Sequence, residues 1–134
     1  MKQKLKCVLL IDDDNATNFL NKWIIERTQT AENIIIKKNG ALALEFLTKA
    51  INNSFPKPEL ILLDINMPVM NGWEFMEEYK KLPDEQKAKI VIVMLTTSPN
   101  PDHLKKAESI AEIDGYERKP LNIKMFERIL IKYF

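Results

Sequence analysis

Leu60-Ile61-Leu62-Leu63-Asp64-Ile65-Asn66-Met67-Pro68-Val69-Met70-Asn71-Gly72 is an apolar run that stops on a carboxylate and passes into a turn. Residues 60–63 are apolar without alternation, as expected of a strand covered on both faces. No helix starts directly after Asp64, so capping does not account for its side chain. Pro68 stiffens the turn, and Gly72 offers backbone angles closed to other residues. Three further runs share this design. Lys6-Cys7-Val8-Leu9-Leu10-Ile11 leads into Asp12-Asp13-Asp14, and Ile90-Val91-Ile92-Val93-Met94-Leu95 leads into Thr96-Thr97. The weaker Gly115-Tyr116-Glu117-Arg118 leads into Lys119-Pro120. If the four runs are parallel neighbours in one sheet, their C-terminal ends share an edge. Carboxylates, a hydroxyl and an ammonium then meet in one crevice, a set that suits a divalent cation and a phosphoryl group.

Between these runs the apolar residues recur at the helical period. The pattern predicts strands over 6–11, 32–37, 60–64, 89–95 and 114–118. It predicts helices over 15–27, 41–52, 72–81, 101–111 and 122–133. The first helix carries Ala16, Phe19, Leu20, Trp23 and Ile24 on one face, with Asp14 or Asn15 as its cap. The second carries Leu42, Phe46, Leu47, Ala50 and Ile51, and the polar, proline-containing stretch 52–58 stops it. Pro83 closes the third. Asn100 caps the fourth with Pro101 at its first position; its stripe of Leu104, Ala107, Ile110 and Ala111 is weak, as suits a movable element. Asn122 caps the fifth, whose inner face is Ile123, Phe126, Leu130 and Tyr133. Strict alternation of strand and helix argues for an α/β fold, a parallel sheet with helices on both faces. Right-handed crossovers leave few topologies, and ligands of such sheets bind beyond the carboxyl ends of the strands. Strand 32–37 ends in Lys37-Lys38 and contributes no carboxylate or hydroxyl, which places it at the sheet edge.

The chain has 134 residues, enough for one core and one domain. A net charge of +1 gives no bulk field for nucleic acid. The basic lead-in Met1-Lys2-Gln3-Lys4-Leu5-Lys6 reads as a solubilising entry to the first strand. One cysteine excludes an intrachain disulfide, and Cys7 reads as small buried filler. One histidine and one cysteine argue against a His/Cys zinc site, and His103 falls on an exposed part of the fourth helix. With no membrane-length apolar stretch and no signal-peptide pattern, a cytoplasmic location is expected.

Asp12, Asp13 and Asp64 crowd negative charge together. Two unit charges about 4 Å apart repel by roughly 4 kcal/mol at an effective dielectric near 20. A domain with only about 5–15 kcal/mol of net stability must offset such a cluster. A hard cation, Lys119 or a raised carboxylate pKa would each serve, and oxygen donors with several waters suit Mg²⁺. Taken singly, each residue has a plainer reading. Asp14 suits a helix cap, and Asp12 and Asp13 could act likewise. Thr96 could cap a turn, Lys119 could be solvated, and Trp73 reads as packing. Their joint placement at the strand ends carries the argument.

The chain resembles the receiver domain of two-component response regulators, of the single-domain chemotaxis type, over essentially its whole length. The matching pieces are Leu9–Asp14, Leu60–Gly72, Val93–Thr97 and Tyr116–Pro120. The resemblance implies a flavodoxin-like, doubly wound (βα)5 fold, with a five-stranded parallel sheet of order 2-1-3-4-5. It implies that Asp64 is a phosphoacceptor served by a histidine kinase or histidine phosphotransfer protein. It makes Asp12, Asp13, Asp64 and the Asn66 carbonyl ligands of Mg²⁺, and pairs Lys119 with the phosphoryl oxygens. Thr96 and Tyr116 become switch residues, and Asn66 and Ser98 flank the site where they tune water access. No enzymatic turnover is implied beyond self-catalysed phosphotransfer and autodephosphorylation.

The last helix ends at Phe134, so a single domain over 1–134 with no output domain is expected. Such a chain acts by binding a protein target through the fourth helix, fifth strand and fifth helix, where Lys105, Lys106, Arg128 and Lys132 are candidate contacts. Other functions fit less well. A haloacid-dehalogenase-type phosphohydrolase needs a second aspartate where Asn66 stands. A flavodoxin-type electron carrier needs a phosphate cradle where Asp12-Asp13-Asp14 would repel it. A degenerate receiver that binds partners without phosphorylation would not need every site residue in place.

Overall fold

The computed structural model describes residues 4–87, 90–97 and 100–134. The order is β1 (Leu5–Ile11), α1 (Asn15–Thr28), β2 (Ala31–Lys37), α2 (Gly40–Thr48), β3 (Leu60–Asp64), α3 (Gly72–Tyr79), α4 (Asp84–Lys87), β4 (Val91–Thr96), α5 (Pro101–Glu108), β5 (Gly115–Arg118) and α6 (Ile123–Tyr133). All strand pairs are parallel, in the order β2-β1-β3-β4-β5. This is the expected flavodoxin-like (βα)5 arrangement, with β2 at the edge. Met1–Gln3, the expected strand start at 89, and Ser98 and Pro99 lie outside the described residues.

Strand side chains alternate between two cores, because successive residues of a strand point to opposite faces. Leu9, Ile11, Ile61, Leu63, Ile92 and Met94 pack beneath α2, α3 and α5, against Leu47, Phe75, Met76, Tyr79 and Ile110. Val8, Leu10, Leu60, Leu62, Val93 and Leu95 pack beneath α1 and α6, against Ile24, Ile25, Met125, Phe126 and Leu130. Each such fully buried side chain contributes about 1.5–3 kcal/mol. β3 is buried at every position, as its unbroken apolar run requires.

Caps set the helix starts. Asp14, Asn39, Asn71, Asn100 and Asn122 are the N-caps of α1, α2, α3, α5 and α6, and Pro101 stands in the first turn of α5. Asn71 and Glu74 complete a reciprocal capping box.

Several expectations are corrected. α1 buries Asn18, Asn21, Ile24 and Ile25, while Phe19, Leu20 and Trp23 are exposed, Phe19 by 74%. A polar anchor turns the helix: the Asn18 amide donates to the Asp12 carbonyl at 2.8 Å, so asparagines occupy the inward stripe. α2 stops at Thr48, and its inner residues are Ala43 and Leu47 while Leu42 and Ile51 are exposed. Beyond it, Ile51 and Ser54 form an isolated antiparallel bridge around Asn52 and Asn53, both left-handed (φ 53° and 64°). A short extra helix, α4, follows Pro83. Leu104 on α5 and Ile123 on α6 are exposed, and the buried side of α6 is Met125, Phe126, Ile129 and Leu130. Cys7 is only half-buried, and burial, then the Glu59 charge, pushes its thiol pKa up.

Candidate functional site

Strand register brings the reactive residues together. Ile11 lies beside Leu63, Asp64 beside Leu95, and Thr96 beside Arg118. Asp12, Asp64, Thr96 and Lys119 therefore reach the same edge of the sheet within about one residue of each other. Carboxylate oxygens of Asp12, Asp13 and Asp64 lie within 4.8 Å of one another. The Lys119 ammonium bridges two of them, donating to Asp12 Oδ2 at 2.6 Å and to Asp64 Oδ1 at 3.0 Å. Asp12 and Asp64 are buried, and Asp13 is exposed at the mouth.

Each element holds its residue by identifiable bonds. Asp12 continues the β1–β2 ladder by donating its N–H to the Lys37 carbonyl at 3.1 Å. Its Oδ1 accepts from the Asp14 N–H at 2.9 Å. Asp14 points away, to cap α1 through Thr17 N–H at 3.1 Å and Thr17 Oγ1 at 2.5 Å. These bonds from Thr17 hold the Asp14 carboxyl below its ordinary pKa. The capping reading of Asp14 stands, and it is separate from the cluster. Lys119 donates its N–H to the Thr96 carbonyl at 2.8 Å, which ties the end of β5 to the end of β4. The Lys119–Pro120 peptide is cis.

The charges perturb one another. Burial, then the neighbouring Asp12 charge, raises the Asp64 carboxyl above its ordinary range, and Lys119 opposes this only in part. Burial would lower Lys119, but its bonds to Asp12 and Asp64 prevail and hold the ammonium above its usual pKa. A buried carboxylate that resists ionisation beside Asp12, with Lys119 compensating only in part, leaves a place for further positive charge. Three all-oxygen donors at this spacing fit a hard divalent cation. The cluster Asp12, Asp13 and Asp64 matches the Mg²⁺-coordinating triad of receiver domains.

Thr96 is buried at the end of β4, 1% exposed. Tyr116 stands apart from the carboxylates. It lies beside Met94 on β5 and packs partly on the α3–α5 core, with a shielded hydroxyl that has no partner among the described residues. Asn66 is exposed on the loop after β3. Trp73 packs on the same core and meets His103 edge-on at 5.9 Å between ring centroids. His103 is therefore partly covered, contrary to the exposed position expected, and its Nδ1 is shielded without a partner among the described residues.

Two contributors escape sequence reasoning. Asn18 is one, because an asparagine within a helix carries no signal that it bonds back to Asp12. The role of Gly72 is the other. No described glycine has a positive φ, and what Gly72 supplies is space. Its N–H donates to the Ile65 carbonyl at 2.7 Å, and a Cβ there would stand 2.4 Å from the Asp64 carbonyl oxygen. The left-handed residue of this loop is Val69, with φ 67°.

The model of the response regulator receiver domain matches residues 8–130. Response regulator Rcp1 from Synechocystis sp. is 34% identical over 121 residues, covering 89% of this chain and 80% of that protein. The crystal structure of a two-component response regulator from Cytophaga hutchinsonii superimposes with a TM-score of 0.83 at 34% identity, covering 98% of both chains. The Mn²⁺-bound form of Rcp1 superimposes with a TM-score of 0.72 at 33% identity, covering 92% of this chain and 88% of that one.

Proposed function

Because the chain belongs to the response regulator receiver domain family, we propose that Asp64 is its phosphoacceptor and that phosphorylation switches the binding of a protein target. The observation that carries this is the Lys119 ammonium held between Asp12 and Asp64, 2.6 and 3.0 Å away, with Asp13 completing the cluster. The donor is a histidine kinase or a histidine phosphotransfer protein, as membership of the family supports. Among the described residues no helix is long and apolar enough to cross a membrane.

A carboxylate oxygen of Asp64 attacks phosphorus, forming an acyl phosphate as the donor's P–N bond breaks and the imidazole leaves with the electron pair. Charge accumulates on the equatorial oxygens, and catalysis is mostly positioning and electrostatics. Lys119 holds one of those oxygens by its ammonium, a role supported by its bonds to Asp12 and Asp64. Mg²⁺, held by Asp12, Asp13, Asp64 and the Asn66 carbonyl, would supply further positive charge; a family relative has been solved in a Mn²⁺-bound form, which supports divalent-ion binding in the family. The new group adds about −1.5 to −2 charge and strong acceptors. The Thr96 hydroxyl donates to it, and Tyr116 repacks as the segment after β4 follows. The surface that changes is α5, β5 and α6, where Lys105, Lys106, Arg128 and Lys132 are exposed.

Intact mass after incubation with acetyl phosphate and Mg²⁺ tests this. One added phosphoryl mass is expected, absent in Asp64→Asn and abolished by a chelator. No gain with either acetyl phosphate or phosphoramidate would overturn the reading.

A further inference from the structure

The two edges of the sheet are built differently. β5 is short, four residues, and carries Glu117 and Arg118. Shortness and charge are the usual protections of an unpaired strand edge. β2, at the other edge, runs for seven residues and pairs only with β1. It contains no proline, and its centre is Ile34-Ile35-Ile36, a run of strong strand formers. The Lys37 carbonyl accepts from the Asp12 N–H, on the β1 side. Backbone direction alternates along a strand, so Ile34 and Ile36 turn their N–H and carbonyl groups outward. Among the described residues none bonds to them there. The ends of the run are charged, with Glu32 before it and Lys38 after it, both exposed.

From this edge we infer that β2 is a self-association strand: a second copy of the chain adds its own β2 antiparallel, joining the two sheets across a two-fold axis. Symmetry and charge fix the register. A two-fold axis perpendicular to the sheet keeps every side chain on its own face, so facing residues must lie an even number of positions apart along the chain. The axis therefore passes through a single residue. On Ile35 it sets Glu32 opposite Lys38 twice, once at each end, and Ile34 opposite Ile36. On Ile34 it sets Glu32 opposite Ile36 instead, and on Ile36 it sets Lys38 opposite Ile34. The Ile35 register is the one that pairs the charges. It also joins Ile34 to Ile36, whose backbone groups point outward, so that each such pair exchanges two N–H···O bonds. Opposite charges facing each other across an antiparallel pair are favourable, and like charges are not. A strongly acidic or strongly basic segment of another protein would be repelled at one end of the run, by Glu32 or by Lys38. A second copy meets the opposite charge at both ends.

Sedimentation equilibrium of the full chain at low salt, from low micromolar to several hundred micromolar, tests the inference. A concentration-dependent dimer is expected, weakened as added salt screens the exposed charges. Glu32→Lys and Lys38→Glu should each weaken it by about tenfold, since either reversal sets like charges together at both ends. An equimolar mixture of the two variants, and the chain carrying both substitutions, should regain the affinity, because each restores opposite charges in the Ile35 register. Amide hydrogen exchange gives a second reading: the Ile34 and Ile36 amides should exchange more slowly as the dimer forms. Far-ultraviolet circular dichroism checks each variant, and Lys38→Ala, which removes the attraction without adding repulsion, replaces a reversal that disturbs the fold. A monomer at every concentration, a dimer indifferent to both reversals, a mixture no tighter than its components, or Ile34 and Ile36 amides that exchange at one rate at all concentrations would each overturn the inference.

Discussion

Replacing Gly72 by alanine tests how tightly the phosphoacceptor strand is held. The added Cβ would meet the Asp64 carbonyl oxygen at 2.4 Å, the Ile65 Cα at 3.0 Å and the Asp64 carbonyl carbon at 3.3 Å. All three are backbone atoms, so no side chain can swing aside. Either α3 or the end of β3 must shift, at about 1–3 kcal/mol for forced overpacking. The shift also strains the 2.7 Å bond from the Gly72 N–H to the Ile65 carbonyl, worth about 1 kcal/mol. Alanine recovers under 1 kcal/mol of helix propensity at a first-turn position. The net expectation is a loss of about 2–3 kcal/mol, or about 6–12 °C in Tm for a chain of this length. Because the clash falls on the residue that carries the nucleophile, phosphorylation by acetyl phosphate should slow by about tenfold or more. Gly40→Ala is the matched control. Its Cβ meets Met70 Cγ and Sδ at 2.8 and 2.9 Å, a flexible side chain that can move, and the less yielding Phe75 Cβ at 3.0 Å, so a smaller cost of about 1–2 kcal/mol is expected. Urea titration and stopped-flow fluorescence measure both quantities. A Gly72→Ala variant within about 0.5 kcal/mol of the parent, and phosphorylated as fast, would refute the steric argument.

Three further outcomes follow from the charge cluster and its supports. Lys119→Met should bind Mg²⁺ about tenfold more tightly by calorimetry, because the ammonium competes for the same carboxylates; equal or weaker binding would show that it does not. The raised pKa of Asp64 means that the folded state holds this proton more strongly than the unfolded chain does. Its contribution is therefore favourable in acid and becomes a cost as pH climbs from 3.8 through the raised value. In chelator, Asp64→Asn should remove that fall and leave the protein more stable at pH 7. Lys119 follows the same sign at higher pH: its stabilisation is complete below 10.5 and fades as pH rises through its raised value. Asn18→Ala should cost about 1–3 kcal/mol by leaving the buried Asp12 carbonyl unpaired, and should weaken Mg²⁺ binding; Asn18→Gln restoring neither would leave the geometry of the bond as the cause.

The strands were legible because buried parallel strands are nearly pure apolar runs, and four of them end on a polar residue of one edge. The register then places Asp12, Asp64, Thr96 and Lys119 together without further information. The helix faces were less legible. Periodicity reports where apolar residues lie, and assumes that they point inward. In α1 that assumption fails, since the bond from Asn18 to the Asp12 carbonyl fixes the rotation and leaves Phe19 and Trp23 outside. Gly72 was read for its backbone angles, when the deciding fact is a contact with a strand eight residues earlier. Contacts of that kind have no local signature.

The sheet divides the interior into two sets of side chains that share strands but not contacts, Leu9 and Ile11 facing one way and Val8 and Leu10 the other. Substitutions without shared partners combine additively, usually within about 0.3–0.5 kcal/mol. The α1–α6 side can therefore accumulate changes with little effect on the packing of Tyr116, Trp73 and α5. A lineage carrying this fold can therefore vary the apolar packing under α1 with little effect on the side chains that line the other face of the sheet.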